Sequence, residues 1–329
     1  MERPPNVPDV PVSVVIPAHN AARFIGEALD SVHAQTVRPT EIIVVDDGST
    51  DGTALIARAR AVNVLSRTRG GPSAARNTGI HASSQQWIAL LDADDVWEPS
   101  KLESEWAAVQ ACPDVGAVFT DFTEFDAHGS IDGTFFSRIA HYRAVERTKV
   151  APGVVSCDPA SLWQQFYRGN FIAPSTMLVR RDLLLAVGLF DESLTHVEDR
   201  ECWLRLLAVS KMAVVERPLM RSRVHEANWS QDNLQMTLCQ LRTLDRIRSR
   251  PDRYPPGAAE WYAQSRPRLY LNGGRLAEER GDVAQARRYY LTAWQVGGGL
   301  KPLALAGLCY LPHFLRSAVR KLLVHRSQV

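Results

Sequence analysis

Residues 12–53 read VSVVIPAHNAARFIGEALDSVHAQTVRPTEIIVVDDGSTDGT, and this stretch decides the fold. Two short β-branched runs, at 12–16 and 42–45, predict strands, and apolar residues at helical spacing between them predict an amphipathic helix. The first run breaks at Pro17, and Asn20 is expected to cap the helix that follows. The chain therefore begins with a strand, a helix and a second strand.

Polar segments follow both predicted strands. Pro17, Ala18, His19 and Asn20 follow the first strand, and the second strand runs into DDGST at residues 46–50. Because ligands of open α/β sheets bind beyond the carboxyl ends of the strands, the two segments are expected to share one crevice. The alternative is that DDGST is only a turn, since Asp, Gly and Ser favour turns.

Two further elements favour a binding site over a turn. Residues 69–79, RGGPSAARNTG, predict a glycine-rich loop that runs into a helix, where Arg76 can face a phosphate or a base edge. A buried strand is predicted at 87–91, and three carboxylates follow it: Asp92, Asp94 and Asp95. Such a cluster is repulsive unless a cation lies within it, and hard oxygen ligands suit Mg or Mn. Helix capping explains at most Asp95 or Ser100.

The order of these four elements resembles the large inverting glycosyltransferase family two. The resemblance implies an α/β fold of the GT-A, nucleotide-diphospho-sugar transferase type, in which a Rossmann-like mixed sheet is flanked by helices. It implies a metal-dependent, inverting transfer of a sugar from a nucleotide-diphosphate sugar, with UDP-linked donors favoured, to a hydroxyl group. The acceptor would be a glycan or a lipid-linked molecule in polysaccharide, lipopolysaccharide or glycoconjugate synthesis, and the cofactor would be Mn or Mg.

The resemblance also implies roles for individual residues. The nucleotide sugar would be bound by eight residues: Pro17, Ala18, His19, Asn20, Asp46, Asp47, Arg76 and Asp92. His19 stands where the family often places an aromatic ring against the base, although tyrosine is commoner there. Asp46 or Asp47 would contact the base edge, and Asp92 would contact the ribose or a metal-bound water. Asp94 would be the direct metal ligand.

A second carboxylate pair is predicted on the acceptor side, within DESLTHVEDRECWLRLL at residues 191–207. Enzymes of the family have a Glu-Asp pair here, and the resemblance makes Asp199 the catalytic base. For Glu198 we favour a different explanation, in which its charge complements the helix macrodipole. Arg205 follows Glu201 by four residues, so an ion pair on a solvated helix face is at least as plausible as contact with substrate.

Two flanking segments also resemble parts of the family's site. In GNFIAPSTMLVR, at residues 169–180, Asn170 and Ser175 are placed near the acceptor, although such residues usually bond to backbone. In MRSRVHEANWS, at residues 220–230, the alternatives for His225 are a metal or phosphate ligand and a structural histidine.

Other enzyme classes lack their motifs in this chain. No Gly-x-Gly-x-x-Gly follows the first strand and no Walker lysine is present, which excludes dinucleotide oxidoreductases and P-loop enzymes. A glycosidase would need two carboxylates flanking the scissile bond and no nucleotide pocket. Sugar-phosphate nucleotidyl transfer remains the enzymatic alternative, and a non-catalytic helical scaffold or binding protein is the other.

The chain is predicted to hold a catalytic domain at 10–230 and a helical region at 231–329. With 45% apolar and 22% charged residues it can bury one large core and a smaller helical appendage. The stretch 122–157 predicts acceptor-side loops or a short hairpin. The stretch 270–294 is similar to one tetratricopeptide hairpin, but a single repeat does not make an array, so we favour a simple helical hairpin.

The cytoplasm is the predicted location. The first ten residues have no apolar core of a secretory signal, and the odd number of five cysteines suits a reducing compartment. A basic amphipathic helix predicted at 311–324 either lies on the cytoplasmic face of the inner membrane or docks on the protein itself. No apolar run is long enough for a membrane span, and no nucleic-acid partner is expected.

Overall fold

The structure is a computed structural model that describes residues 7–226 and 232–311. These residues form two units. The first holds the described residues up to 226 together with Arg253–Pro255, and the second holds 232–252 and 256–311. The predicted domain boundary at residue 230 lies outside the described residues.

The first unit is built on one mixed sheet, whose strands in the described part are β1 (Asp9–Ala18), β2 (Arg38–Asp47), β3 (Asn63–Arg67), β4 (Trp87–Leu90), β5 (Val96–Trp97), β6 (Val115–Asp126), β7 (Gly129–Ser130), β8 (Arg147–Ala151), β9 (Val154–Cys157), β10 (Met177–Arg180) and β11 (Lys211–Arg223). Its helices are α1 (Ile25–His33), α2 (Thr53–Arg58), α3 (Pro72–Ala82), α4 (Lys101–Ala111), α5 (Phe135–Arg138), α6 (Ala140–Arg143), α7 (Pro159–Arg168), α8 (Arg181–Val187) and α9 (Glu198–Leu207). The strand order is β3-β2-β1-β4-β10-β6-β11-β9-β8, with β5 beside β11 and β7 beside β6. The predicted α/β class with a mixed sheet and flanking helices is confirmed.

The amino-terminal half of the sheet is parallel. Strand β1 runs parallel to both β2 and β4, and β2 runs parallel to β3. The centre of β1 is fully buried at Val14, Val15 and Ile16, as expected for a strand covered on both faces. On one side α1 covers the sheet with Ile25 and Leu29, which are also fully buried. This packing brings the carboxyl ends of four strands to one edge.

The turn after β1 differs from the prediction. The strand does not break at Pro17, because the residues on either side of the proline keep their pairing with β2. Asn20 does not cap α1, which begins after Phe24 without a side-chain cap. Asn20 instead has a left-handed φ of 49°, which asparagine tolerates, and its Oδ1 accepts a hydrogen bond from Thr50 N at 2.9 Å. The asparagine thus ties two strand ends together.

The stretch 122–157 is more ordered than a set of loops. Strand β6 extends to Asp126 and forms a hairpin with β7, and β8 and β9 form a second hairpin that joins the sheet through β11. Between the hairpins, Phe136 and Tyr142 are buried and stack with ring centroids 3.7 Å apart. The short hairpin that we predicted is present, and aromatic packing orders the remainder.

The second unit is helical, as predicted. It contains α10 (Asn233–Ser249), α11 (Ala258–Glu279), α12 (Val283–Gln295) and α13 (Leu300–Leu308) in the described part. The predicted break at residues 281–282 is confirmed, since Gly281 has a φ of 82° and Asp282 caps α12 by accepting a hydrogen bond from Gln285 N. Tyr290 packs so closely on Gly274 that a Cβ there would lie 2.4 Å from the ring, so α11 and α12 form a tight hairpin.

Helices of the described part are too short or too polar to cross a bilayer. No disulfide joins any of the five cysteines, all of which lie within the described ranges. The helix predicted at 311–324 lies, except for Leu311, outside the described residues.

Candidate active site

The polar segments after β1, β2 and β4 meet at one edge of the sheet. Ala18 pairs with Asp46 across β1 and β2, and Val15 pairs with Leu90 across β1 and β4. Helix α3 lies against the same edge, since a Cβ on Gly79 would lie only 2.4 Å from Val15 Cγ1. The glycine therefore allows α3 to approach β1 closely, which places Arg76 over the strand ends.

The loops after β1 and β2 are joined by hydrogen bonds. His19 Nδ1 lies 2.9 Å from the Asp47 carbonyl oxygen, and Asn20 N donates to Ser49 Oγ at 3.0 Å. Pro17 and Ala18 still belong to β1, with the Ala18 side chain buried. The predicted crevice thus has one wall made by the two loops together, and within it the His19 ring has a defined orientation.

The two aspartates of DDGST have different partners. Asp47 accepts hydrogen bonds from Arg67 Nη1 at 2.6 Å, Gly70 N at 3.0 Å and Gly71 N at 2.7 Å. Asp46 accepts one hydrogen bond, from Ser49 N at 3.1 Å. The carboxylate of Asp47 therefore holds the glycine-rich loop at the start of α3, and Asp46 has more capacity left to bind a ligand.

Arg76 is the buried centre of the site. Its Nη2 donates to Asp92 Oδ1 at 2.7 Å and its Nη1 donates to Glu198 Oε1 at 2.8 Å, while its guanidinium lies over the Phe190 ring. Burial alone would lower the pKa of Arg76, but the charges of Asp92 and Glu198 raise it above its ordinary value. Arg76 thus connects the carboxylate that follows β4 to the start of α9.

The explanation that we favoured for Glu198 is therefore incomplete. Glu198 does begin α9, but its carboxylate is buried and paired with Arg76, which lies 122 residues earlier in the chain. Burial raises the pKa of Glu198 to about 7, with Arg76 opposing the shift and Asp199 adding to it. Charge complementarity with the helix macrodipole does not account for this partner, and no local pattern could have indicated it.

Asp199 is held by the segment before β10. Its Oδ2 accepts a hydrogen bond from Asn170 Nδ2 at 3.1 Å, and Asn170 Oδ1 is itself fixed by Ile172 N at 3.0 Å. Burial raises the pKa of the Asp199 carboxyl, against the lowering effect of its hydrogen bonds and of Arg76. The residue before the pair, Val197, has a φ of 58°, which is unusual for a β-branched residue and turns the start of α9 into the site.

The carboxylates after β4 are arranged around His225 and Ser175. Asp94 Oδ2 lies 3.0 Å from His225 Nε2, whereas Asp95 accepts hydrogen bonds from Ser175 Oγ at 2.6 Å and from Arg223 N at 3.1 Å. Ser175 also accepts a hydrogen bond from Asp92 N and is fully buried, so it holds the two carboxylate segments in place. Burial and then the charge of Asp92 raise the pKa of Asp94.

The side chains of Asp94 and His225 suit a metal ion that is also coordinated by a substrate. Nowhere in residues 7–226 and 232–311 do three or more His, Cys, Asp or Glu side chains gather as a metal site of their own. Asp94 and His225 nevertheless present two adjacent donor atoms, and the charge of Asp92 disfavours ionisation of Asp94 unless positive charge is nearby. Mg²⁺ typically takes one or two protein carboxylates and completes its shell with phosphate oxygens and water, so the residues fit such an ion.

Aromatic and basic residues position His225, and the sequence pattern did not single them out. The His225 ring stacks on Phe24 with centroids 4.9 Å apart. Arg223 donates to the Asp94 carbonyl oxygen at 3.0 Å, forms an ion pair with Glu27 and lies over the Phe125 ring. These contacts join α1, β6 and β11, so only the folded chain brings them together.

Arg205 has a structural role away from this edge. Its ion pair with Glu201 is confirmed, with Nε to Oε1 at 2.8 Å, but both side chains are buried and the helix face is not solvated. Arg205 also donates to the carbonyl oxygens of Val187 and Leu189. These hydrogen bonds close the turn after α8.

We predict that the proton on Glu198 contributes to the pH dependence of stability, in addition to other buried carboxyls such as Glu105, whose pKa is also raised by burial. Its pKa is about 7 in the folded chain, whereas an ordinary glutamate titrates near ~4.3. Between these values the folded state binds more protons than the unfolded state, so the free energy of unfolding falls as the pH rises through this window. Replacing Glu198 with Gln should remove a change on the order of 3 kcal/mol between pH ~4.3 and ~7.

Urea unfolding followed at several pH values measures this effect. The exposed Glu103, replaced with Gln, is the matched control and should retain the wild-type pH dependence. Equal slopes for wild type and Glu198→Gln would show that Glu198 titrates normally.

Comparisons with known proteins show which proteins this chain resembles. The model of glycosyl transferase family 2 matches residues 13–158. An uncharacterised glycosyltransferase of Rickettsia typhi is 30% identical over 219 residues, which are 66% of this chain and 64% of the relative. The chain thus matches a little under two thirds of that relative's length.

Two solved structures resemble most of this chain in fold. S. aureus TarS 1–349 in complex with UDP-GlcNAc superposes with a TM-score of 0.62 and 17% identity, covering 91% of this chain and 86% of TarS 1–349. The mannosyltransferase PcManGT of Pyrobaculum calidifontis, in complex with GDP-Man and Mn²⁺, has a TM-score of 0.54 and 20% identity, covering 93% of this chain and 82% of PcManGT. These likenesses confirm the predicted GT-A type of fold.

Proposed function

The chain belongs to glycosyltransferase family 2, and from this we propose that it transfers a sugar from a nucleotide-diphosphate sugar to a hydroxyl acceptor. The observation that carries the proposal is the buried Arg76, which bonds to both Asp92 and Glu198. Asp92 follows the nucleotide-side strand β4, and Glu198 precedes Asp199 on α9. The guanidinium of Arg76 therefore links the proposed donor side of the crevice to its proposed acceptor side.

The proposed donor is a UDP-linked sugar. Asp46 is the candidate for contact with the base edge, because the Asp47 carboxylate is already hydrogen-bonded to Arg67 and to the glycine-rich loop. Pro17, Ala18, His19, Asn20 and Asp92 remain the other proposed donor contacts. The TarS complex holds UDP-GlcNAc and the PcManGT complex holds GDP-Man, which supports a nucleotide sugar as the class of donor.

Asp199 is the proposed catalytic base. Its carboxylate is oriented by Asn170 and lies at the start of α9, beside the Arg76 pair. A raised pKa strengthens the carboxylate as a base for the acceptor hydroxyl. One base on the acceptor side is sufficient for direct displacement, which inverts the anomeric centre. We propose this single-step, inverting course.

The proposed cofactor is Mn or Mg, held by Asp94 and His225. When bound, the cation would neutralise charge on the diphosphate as it departs. Arg76 Nη1 and Nη2 are paired with Glu198 and Asp92, and the guanidinium would add its positive charge to that of the metal ion near the nucleotide diphosphate. The Mn²⁺ in the PcManGT complex supports a metal-dependent reaction.

The proposed acceptor is a glycan or a lipid-linked molecule of polysaccharide, lipopolysaccharide or glycoconjugate synthesis, and the proposed location is the cytoplasm or its membrane face. An assay with purified protein, UDP-, GDP- and dTDP-linked sugars and Mn²⁺ tests the proposal. Sugar transfer to an acceptor hydroxyl releases the nucleoside diphosphate. In a parallel reaction with nucleoside triphosphates and a sugar phosphate, nucleotidyl transfer would release pyrophosphate, and a scaffold would give neither product. A pyrophosphate product or the absence of any donor binding would overturn the proposal.

We predict that Asp94 couples the metal to the nucleotide. In the Asp94→Asn variant, UDP should bind with the same affinity in the presence and absence of Mn²⁺, because the amide is a poor ligand for a divalent cation and His225 loses its partner. Isothermal titration with UDP, with and without Mn²⁺, measures this difference. Asp114, an exposed aspartate paired with Lys211, provides the control Asp114→Asn, which should keep wild-type metal dependence. Undiminished tightening in Asp94→Asn would assign the metal to other residues.

A further inference from the structure

Helix α13 has an apolar surface that the described chain leaves uncovered. Its exposed residues, continuing into the turn after it, recur at helical spacing: Leu300, Leu303, Ala304, Gly307, Tyr310 and Leu311. We call this set the α13 surface. Leu300 is 77% exposed and Tyr310 is 73% exposed. Lys301, which is also exposed, is the one charged residue within α13.

The other face of α13 accounts for the helix's packing. Ala306 is buried in the core of the second unit, with Leu305 and Cys309 packed beside it. That core is formed with Ala277 and Tyr290 of the neighbouring helices. A helix with apolar residues on both faces is normally buried on both faces. We therefore infer that a partner covers the α13 surface.

The charges around this surface indicate what the partner is. Residues 283–329 contain seven Lys and Arg and no Asp or Glu. In the described part, Arg288 and Lys301 are exposed, and the guanidinium of Arg287 lies 4.8 Å from the centroid of the Tyr310 ring. Trp294, near the end of α12, is 43% exposed. Helices α12 and α13 with the turn after α13 therefore present exposed leucines, amphipathic aromatic rings and positive charge.

We propose that the α13 surface docks on an anionic lipid membrane. Leucines and aromatic rings insert at the boundary between headgroups and acyl chains, where Trp and Tyr are preferred, and Lys and Arg attract anionic headgroups. A second copy of the chain is a less favourable partner, because its basic residues would repel those of the first copy. The basic carboxyl-terminal residues of the same chain would be repelled for the same reason. The α13 surface would provide the contact for the membrane location proposed above. Vesicle binding tests this contact independently of sugar transfer.

Flotation of the full-length chain with vesicles tests the proposal. Binding is expected to vesicles made of equal parts phosphatidylcholine and phosphatidylglycerol and to be much weaker to phosphatidylcholine alone. The double variant Leu300→Gln with Leu303→Gln should weaken binding to the mixed vesicles by about tenfold or more, since two side chains lose their insertion. Neutralising Arg288 and Lys301 with Gln should weaken binding to the mixed vesicles by about fivefold for each charge.

The first unit provides a closely matched control. Leu300 and Leu303 are 77% and 36% exposed, and Leu55 and Leu185 are 73% and 36% exposed. The double variant Leu55→Gln with Leu185→Gln should bind vesicles as the wild type does, and circular dichroism should show that both double variants are folded.

Three results would overturn the proposal. The first is the absence of vesicle binding by the wild-type chain. The second is wild-type binding by Leu300→Gln with Leu303→Gln, which would assign membrane contact to residues after 311. The third is a dimer in sedimentation that this double variant dissociates, which would make a second copy the partner of the surface.

Discussion

Replacing Asp199 with Asn is expected to lower turnover by about 100- to 10,000-fold, the range for loss of general base catalysis. The amide keeps the size of the side chain and can still accept the hydrogen bond from Asn170, but it cannot take the proton of an acceptor hydroxyl. Donor affinity should barely change, because the proposed nucleotide contacts lie after β1, β2 and β4. Turnover and donor binding are measured separately, by product release and by titration with the nucleoside diphosphate.

A pH profile distinguishes the loss of a base from a loss of structure. In the wild type, transfer should decline as the pH falls through the pKa of Asp199, which burial raises above its ordinary value. The residual activity of Asp199→Asn should lack this decline. Asp182, an exposed aspartate paired with Arg180, supplies the control Asp182→Asn, with wild-type turnover expected. Near-normal transfer by Asp199→Asn would move the base to Glu198 or to another residue.

Replacing Arg76 with Met should destabilise the first unit by about 3–5 kcal/mol and remove sugar transfer, because it leaves two carboxylates next to each other without their cation. Asp92 and the buried Glu198 each lose an ion pair whose distance is below 3 Å. Unfolding in urea measures the loss of stability. The partly exposed pair of Arg60 and Asp30 supplies the control Arg60→Met, for which about 0–1 kcal/mol is expected.

A double variant separates the structural role of Arg76 from its role in the site. Arg76→Met combined with Glu198→Met removes both members of the buried pair and should recover part of the lost stability, since an apolar pair of similar volume often replaces a buried ion pair without penalty. Activity should not recover, because no charge then links Asp92 to α9. Full activity in the double variant would show that Arg76 serves only to stabilise the fold. Wild-type stability in Arg76→Met alone would show that the buried carboxylates do not need its charge.

Strand ends were the most predictable part of the site. The apolar runs of β1, β2 and β4 are visible in the sequence because a strand that is covered on both faces must be almost continuously apolar. Residues that follow such strands lie at one edge of a parallel sheet, whatever the details of packing. For the same reason the sequence predicts Asp46, Asp92 and Asp94 at one edge of the sheet.

Sequence alone thus determined the α/β class, the edge at which the polar segments meet, and the helical character of the second unit. Only the tertiary structure showed that Asp47 holds the glycine-rich loop, that Arg76 pairs with Glu198, that Arg205 is buried and that Ser175 hydrogen-bonds to Asp95. The physical reason is the range of the interactions. Periodicity reports how each residue relates to its own helix or strand, whereas the partner of a buried charge is set by elements that lie many residues away, as with the 122 residues between Arg76 and Glu198.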